Sequence, residues 1–234
     1  MLKVEHIEVW GFEHAVRGMR NPLNSWDKSD SGWEWVEDES PINPDDPGMS
    51  FAVGETDLDL MRRLYKAGPE HRKYLRQIFV SMDITAPLYL WKEIDQYKVG
   101  TTTDSCSTMH KIAAKEFTLD DFSTEHLSKF QVSVDNGSMT YMDCAMDLFK
   151  NTIALLNTYR DLYLYTKEKV YWWQLIQLLP SSYNQKRTVT MSYENVVSII
   201  KQRSGHKLDE WHVLIDEFKK NLPYINEIIS EENN

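Results

Sequence analysis

The sequence predicts an α+β fold, with a small, mostly antiparallel sheet packed against long helices from the second half of the chain. Alternation of apolar and polar residues indicates strands near residues 2–10 and 77–85. Apolar residues spaced three and four apart over 146–163 indicate a long amphipathic helix. The chain has 234 residues, 41% of them hydrophobic, so we predict one domain over 1–234 with a substantial core.

The first third of the chain combines the first strand with polar segments. After residues 2–10 comes a stretch rich in Gly, Arg, Asn and Pro. An acidic, proline-rich loop is predicted at about 33–50, because proline lacks the N–H donor that a helix or central strand needs. Apolar residues at helical spacing then predict a helix over 56–65.

A strand that leads directly into a helix is the next predicted feature. Apolar residues alternate up to Ala86-Pro87, and proline favours the first turn of a helix. We expect that helix to run through Ile94, with Lys98 near its last turn and Gly100 ending the pattern. Further helices are predicted at 146–163, 170–179, 193–200 and 208–222, with Gly205 as a stop between the last two.

Composition and charge exclude several classes of function. With 26 basic and 36 acidic residues the net charge is −10, which argues against general nucleic-acid binding, because that binding depends on Lys and Arg neutralising phosphates. No apolar stretch approaches the length of about 20 residues that a membrane span needs. Two cysteines are too few for a disulfide framework, and the N-terminus lacks a signal layout, so we expect a soluble cytoplasmic protein without a membrane partner.

Basic residues are nevertheless concentrated in one short stretch. We name it the basic stretch; it is consistent with a phosphate-facing surface or with a solvated helix face. Its members are Arg62, Arg63, Lys66, Arg72, Lys73 and Arg76.

Two segments together resemble the flavin-dependent thymidylate synthases. The first runs from Thr85-Ala86-Pro87 to Met109-His110, where the family has a strand ending in Ala-Pro and a helix with Arg-Gln and Arg-His-Arg. The second contains Leu179-Pro180, Thr190 to Glu194, a helix reaching Arg203, and a segment from His206 to Glu210. Family members have Leu-Pro, Thr-x-Asn-x-Arg, a helix ending in Arg, and His-x-Gln-x-Glu in that order. The similarity covers roughly residues 55–225, and the interval from Pro180 to Arg203 needs no gap.

The resemblance implies that FAD is the cofactor, and it also indicates which residues bind it. Gln96, Tyr97 and Lys98 stand where the family has the flavin-binding Arg-His-Arg, and only Lys98 keeps a positive charge. The other cofactor-binding positions implied by the resemblance are Thr101, Asp104, Ser192, His206 and Glu210.

The resemblance also implies a pyrimidine nucleotide such as dUMP as substrate. Arg203 stands at the position of the nucleotide-gripping arginine and is the implied catalytic residue, because a guanidinium stays protonated and stabilises negative charge on uracil oxygens. The other implied substrate contacts are Lys186, Ser107 and Glu93. Family chemistry is reductive methylation of dUMP, with methylene-folate and reduced nicotinamide as co-substrates, in a homotetramer.

Departures from the family pattern leave other interpretations open. The loop arginine of the family is missing, and Gln77 stands in place of a histidine. One alternative is therefore a catalytically inactive nucleotide-binding or structural relative that keeps the fold. Another is an interaction protein whose acidic loop contacts a basic partner. Cys106, His110 and Cys144 lack a fourth ligand at a recognised spacing, so we predict no metal site.

Overall fold

The structure, a computed structural model, describes residues 2–35, 48–130, 132–135 and 140–230, with backbone alone at 132–135 and 140–143. The chain forms two compact units. The central-segment unit contains Met1–Lys3, Asp83–Gln96 and Thr103–Thr188, and the flanking-segment unit contains Val4–Met82, Tyr97–Thr102 and Val189–Asn234. One domain over 1–234 stays a prediction.

The main sheet has four strands and confirms the predicted α+β class. Its order is β1-β4-β8-β5, where β1 is Lys3–Trp10, β4 is Phe79–Pro87, β5 is Thr101–Ser105 and β8 is Asn184–Ser192. The strands near 2–10 and 77–85 are confirmed. No strand was predicted at β5: its sequence Thr-Thr-Thr-Asp-Ser has no apolar alternation, so its neighbours in the sheet rather than its own pattern define it.

Strands occupy the two described ends of the predicted acidic loop. β2 (Gly32–Trp35) pairs antiparallel with β3 (Met49–Ala52), and residues 36–47 of the predicted loop lie outside the described residues. Trp33 lies opposite Phe51, with ring centroids 5.7 Å apart. Cross-strand aromatic pairs stabilise a hairpin, so the loop prediction is wrong at its two ends. A second pair is β6 (Val132–Asp135) with β7 (Thr140–Asp143).

The helices follow the apolar periodicity closely. The helix after Pro87 runs through Ile94 as predicted and ends there, so Lys98, expected near its last turn, lies in the connection to β5. No helix in the described parts of the chain is long and apolar enough to cross a membrane. The helices are α1 (Phe12–Arg20), α2 (Glu55–Ala67), α3 (Leu88–Ile94), α4 (Thr108–Lys111), α5 (Ala145–Thr166), α6 (Lys169–Leu178), α7 (Tyr193–Arg203), α8 (Asp209–Asn221) and α9 (Ile225–Ile229).

Helix α1 was not predicted, and its start depends on glycine. Gly11 precedes α1 with φ of +98°, a conformation that side chains rarely adopt. A Cβ atom there would lie 2.1 Å from the backbone oxygen of Gln77. The close approach of these two backbone segments therefore requires glycine.

The flanking-segment unit contains a buried ion pair that ties α1 to α2. Arg20 Nε donates to Asp57 Oδ1 over 2.6 Å, and the two side chains are 4% and 0% exposed. The hydroxyls of Ser29 and Ser31 donate to the other carboxylate oxygen over 2.6 and 2.7 Å. These hydrogen bonds to Asp57 thus hold the loop before β2 against the start of α2.

In the same unit, packing of α7 against α8 places the end of α7. Tyr193, Val197 and Ile200 point into the core from α7, and Trp211 and Leu214 do so from α8. This apolar seam follows the predicted helical periodicity. Arg203, in the last turn of α7, is thereby held beside the first turn of α8.

Candidate functional site

Arg203, the predicted catalytic residue, is held by two aromatic side chains. Its Nε donates to the Tyr97 hydroxyl over 3.1 Å. Its Cζ lies 5.0 Å from the centroid of the Trp211 ring and 5.8 Å from that of Tyr97. Both distances fall within the range of cation–π attraction. The structure therefore brings two predicted site residues, Arg203 and Tyr97, into direct contact.

Trp211 is the centre of this aromatic cluster. Its side chain is fully buried, and the rings of Tyr97 and His206 approach it edge-on, with centroids 6.1 and 6.3 Å away. His206 is held by the backbone, since its N–H donates to the Arg203 carbonyl and its Nδ1 accepts from the N–H of Leu208. We name Tyr97, Arg203, His206 and Trp211 the arginine cluster.

Sequence reasoning missed Trp211, which was interpreted only as part of an amphipathic helix. Its indole Nε1–H is buried and has no hydrogen-bond partner among the described residues. A buried indole usually finds a partner for its N–H. The available signal was the position of a tryptophan eight residues after Arg203 on the next helix, and sequence spacing alone does not separate that role from core packing.

A second set of predicted residues meets at the start of α7. Asn195 Nδ2 donates to the Thr101 hydroxyl over 2.8 Å and to the Val99 carbonyl over 2.6 Å. Gly100 lies beside them with φ of +72°, and a Cβ on it would be 3.6 Å from the hydroxyl oxygen of buried Ser192. Thr101 and Ser192, both predicted flavin contacts, are thus near one another, and Asn195 is the residue that was missed.

The remaining predicted residues of the flanking-segment unit are on its surface or beside the arginine cluster. Lys98 is exposed in the connection between α3 and β5. Glu210 is half-buried in the first turn of α8, directly before Trp211.

Three further predicted residues belong to the central-segment unit. Gln96 and Asp104 are exposed, and Glu93 is half-buried on α3. Each of the three stays a prediction.

Lys186 and Ser107 line one cleft of about 380 Å³ in the central-segment unit. Lys186 Nζ lies 2.9 Å from Asp83 Oδ2, and the Ser107 hydroxyl contacts His110 Nδ1 over 2.9 Å. A second lysine of this cleft, Lys115, is paired with Asp121, and this hydrogen bond raises the pKa of Lys115. The pKa of Tyr183 in the same cleft is raised, mainly by burial and to a lesser extent by the negative charge of nearby Asp121. The cleft therefore carries charges of both signs.

Three arginines of the basic stretch are engaged in ion pairs. The three pairs are Arg62 with Glu55 at 2.8 Å, Arg63 with Asp59 at 2.9 Å, and Arg72 with Glu194 at 2.8 Å. For these arginines the interpretation as a solvated or ion-paired face gains support.

A cleft of about 750 Å³ lies beside the basic stretch, within the flanking-segment unit. Its charged lining is mainly cationic, with Glu70 as its acidic member. We name it the basic cleft; its basic lining residues are Arg20, Lys28, Arg63, His71 and Lys73. Gln77 also lines it.

The two cysteines do not join a catalytic or metal-binding group in the described residues. Cys106 is exposed, Cys144 is buried, and neither forms a disulfide. A hydrogen bond to Asp147 raises the pKa of the Cys144 thiol, which disfavours thiolate chemistry. No set of three His, Cys, Asp or Glu side chains in the described ranges is arranged around a common metal position.

Comparisons with known proteins confirm the predicted resemblance at the level of the fold. No protein-family model and no curated protein matches the sequence. A solved structure of thymidylate synthase X from Helicobacter pylori with FAD and dUMP superposes with a TM-score of 0.63 at 15% identity, covering 97% of this chain and 96% of that one. A second structure of the H. pylori flavin-dependent enzyme, also with FAD and dUMP, gives 0.62 at 16% identity, with 96% of each chain covered.

A related methylase shares the fold as well. The UMP/dUMP methylase PolB from Streptomyces cacaoi, bound with 5-Br dUMP, superposes with a TM-score of 0.58 at 11% identity, covering 97% of this chain and 94% of that one. The fold of this chain is therefore that of flavin-dependent thymidylate synthases and of this methylase.

Proposed function

We propose that the chain is a flavin-dependent enzyme that modifies position 5 of a pyrimidine nucleotide, with dUMP as substrate, by reductive methylation of the thymidylate synthase type. One observation carries the proposal: in a chain with this fold, the arginine at the nucleotide-gripping position has its guanidinium set against Tyr97 and Trp211. An ordinary helix-end arginine stabilises a helix dipole from the surface and needs no such contacts.

Arg203 supplies the electrostatic part of the reaction. Carbon 5 of uracil becomes a nucleophile when the ring gains enolate character, with negative charge on its oxygens, and a guanidinium stabilises that charge because it does not lose its proton. Half-burial of Arg203 strengthens the effect, since the effective dielectric constant is lower than in water. Arg203 thus binds the substrate and stabilises charge on it.

The positive charge of the basic cleft is complementary to the negative charge of the FAD pyrophosphate. Lys28 and Lys73 line it, and phosphate oxygens bind most strongly to such charged donors. Reduced nicotinamide would reduce bound FAD, and the reduced flavin would then supply the hydride that reduces the carbon donated by methylene-folate. Two predicted flavin contacts already have partners within the chain: Tyr97 is hydrogen-bonded to Arg203, and Thr101 to Asn195. We therefore expect this chain to retain flavin less tightly than relatives that have Arg-His-Arg.

We also propose a homotetramer, supported by exposed apolar residues on the central-segment unit. Leu148, Leu155 and Leu162 recur every seven residues along α5 and are 59%, 43% and 36% exposed. Exposed apolar stripes of this kind mark protein interfaces. Sedimentation of the purified protein checks the assembly, and a monomer would contradict it. A cytoplasmic location stays a prediction.

Replacement of Arg203 tests the proposed function. An arginine contact to an anionic ligand is worth about 1.5–3 kcal/mol, so Arg203→Ala should lower dUMP affinity roughly ten- to a hundredfold in calorimetry. Arg203→Lys should recover part of the loss, because lysine restores charge without the planar fork. Lys201→Ala, an exposed residue of the same helix, is the matched control and should leave dUMP affinity unchanged.

The visible spectrum separates the enzyme from the inactive relative. We expect flavin absorbance on purification or after FAD is titrated at low salt. Binding of dUMP without any flavin binding would instead support the nucleotide-binding relative. Unchanged dUMP affinity in Arg203→Ala, together with a large loss of thermal stability, would show that Arg203 is a structural residue.

A further inference from the structure

Tyr97 forms contacts that its predicted role as a flavin-binding residue does not include. It stands in place of the middle residue of Arg-His-Arg and was expected to contact flavin. Its hydroxyl instead accepts from Arg203 Nε over 3.1 Å and donates to Gln202 Oε1 over 3.0 Å. A phenol has one proton to donate, so donation to Gln202 turns the oxygen lone pairs toward Arg203.

Trp211 holds the same guanidinium from a second direction. Its ring centroid lies 5.0 Å from Arg203 Cζ, and the indole is fully buried in the seam between α7 and α8. Tyr97 meets the Trp211 ring edge-on at an interplanar angle of 71°. A buried ring cannot move away without opening the core, so the position of Trp211 limits where the guanidinium can lie.

We propose that Tyr97 and Trp211 are positioning residues that fix the guanidinium of Arg203 for an anionic pyrimidine ring. This inference rests on the proposed function for the identity of the ligand. An arginine side chain loses considerable conformational freedom when it is ordered, and ordering it before the ligand arrives removes that loss from binding. The tyrosine therefore acts on substrate affinity through Arg203, and its hydroxyl is the atom that matters.

Tyr97→Phe tests the proposal, because it keeps the ring and removes only the hydroxyl. We expect dUMP affinity to fall about tenfold, with the thermal midpoint little changed. Tyr165→Phe, at a tyrosine that is 90% exposed on α5, is the matched control and should change neither quantity. Gln202→Leu removes the acceptor of the Tyr97 proton and should give a smaller loss in the same direction, about two- to threefold.

A double-mutant cycle shows whether Tyr97 acts through Arg203. If it does, adding Tyr97→Phe to Arg203→Lys should lower dUMP affinity by less than twofold, because the contact that it removes is already altered. Independent, multiplicative losses would overturn the positioning role.

Nuclear magnetic resonance of the Arg203 Nε–H gives a readout that needs no nucleotide. In the wild type this proton should exchange slowly with water, and in Tyr97→Phe it should exchange fast. Equal exchange in the two proteins would overturn the proposal whether or not dUMP binds. Slow exchange in the wild type alone, with no dUMP binding at any concentration, would keep the positioning role and contradict the proposed function.

Discussion

Arg203 and Arg72 lie in the same compact unit, and the partners shown for their guanidinium groups differ in kind. Arg72 donates to the Glu194 carboxylate through Nε and Nη2, at 3.2 and 2.8 Å. Arg203 is set against a phenol and an indole, which are neutral. A carboxylate partner cancels positive charge, whereas aromatic partners orient the guanidinium without adding negative charge. The contacts with Tyr97 and Trp211 therefore orient the Arg203 guanidinium, whereas the contact with Glu194 balances the charge of Arg72.

The largest expected effect concerns the carboxylate-held arginine with the deepest burial, Arg20. Asp57→Asn should lower the free energy of unfolding by about 3–5 kcal/mol, because it leaves the buried Arg20 charge without its partner. Urea denaturation measures the change. Asp59→Asn is the matched control, since Asp59 pairs with Arg63 on the surface, and it should change stability by less than about 0.5 kcal/mol. Equal effects of the two variants would contradict the assigned role of Asp57.

A smaller effect is expected at Arg72, and it should appear in stability alone. Arg72→Gln leaves the half-buried Glu194 carboxylate without its charged donor, so unfolding should become easier by about 1–2 kcal/mol. We expect dUMP affinity in calorimetry to stay unchanged, the reverse of the Arg203→Ala pattern. A dUMP defect at Arg72 similar to that at Arg203 would remove the distinction between the two arginines.

Acid should lower the free energy of unfolding by a still smaller amount, through the carboxylate of Asp30, which accepts hydrogen bonds at the start of α2. Burial alone would raise the pKa of Asp30, but hydrogen bonds from Thr56 and the N–H of Asp57 outweigh it and hold the pKa below its ordinary value of 3.8. The stability that Asp30 contributes is present above that ordinary value and is lost as pH falls through the lowered pKa.

Thermal unfolding between pH 7 and pH 3 checks this acid effect. The wild type should lose more stability over that range than Asp30→Asn does, while Asp27→Asn should follow the wild type. If Asp30→Asn were as acid-sensitive as the wild type, the hydrogen bonds from Thr56 and Asp57 would not be the cause.

The elements with long apolar periodicity were predictable from sequence, and short polar elements were not. α5 and α8 follow their predicted ranges, because one face of each helix is apolar throughout. β5 consists of hydroxyl and carboxylate side chains, so no local pattern distinguishes it from a loop. The helix after Pro87 runs through Ile94 as predicted, but no glycine or proline directly after Ile94 marks its end in the sequence.

The candidate site was predictable only in part, for a related reason. Arg203 was identified by its interval from Pro180, which is a property of the sequence. Its partners Tyr97 and Trp211 depend on packing between α7, α8 and the connection after α3, and such packing has no local signature. The same holds for Arg20 and Asp57, which are 37 residues apart.

The order in which the chain is synthesised constrains when the site can exist. Tyr97 leaves the ribosome 106 residues before Arg203, and the unit that contains both is complete only when Val189–Asn234 has been added. Contacts of such long range slow folding, because the intervening loop must close before the contact stabilises anything. A nascent chain that stops before α7 therefore has no arginine cluster, and added nucleotide should protect only chains that extend through α8 from proteolysis.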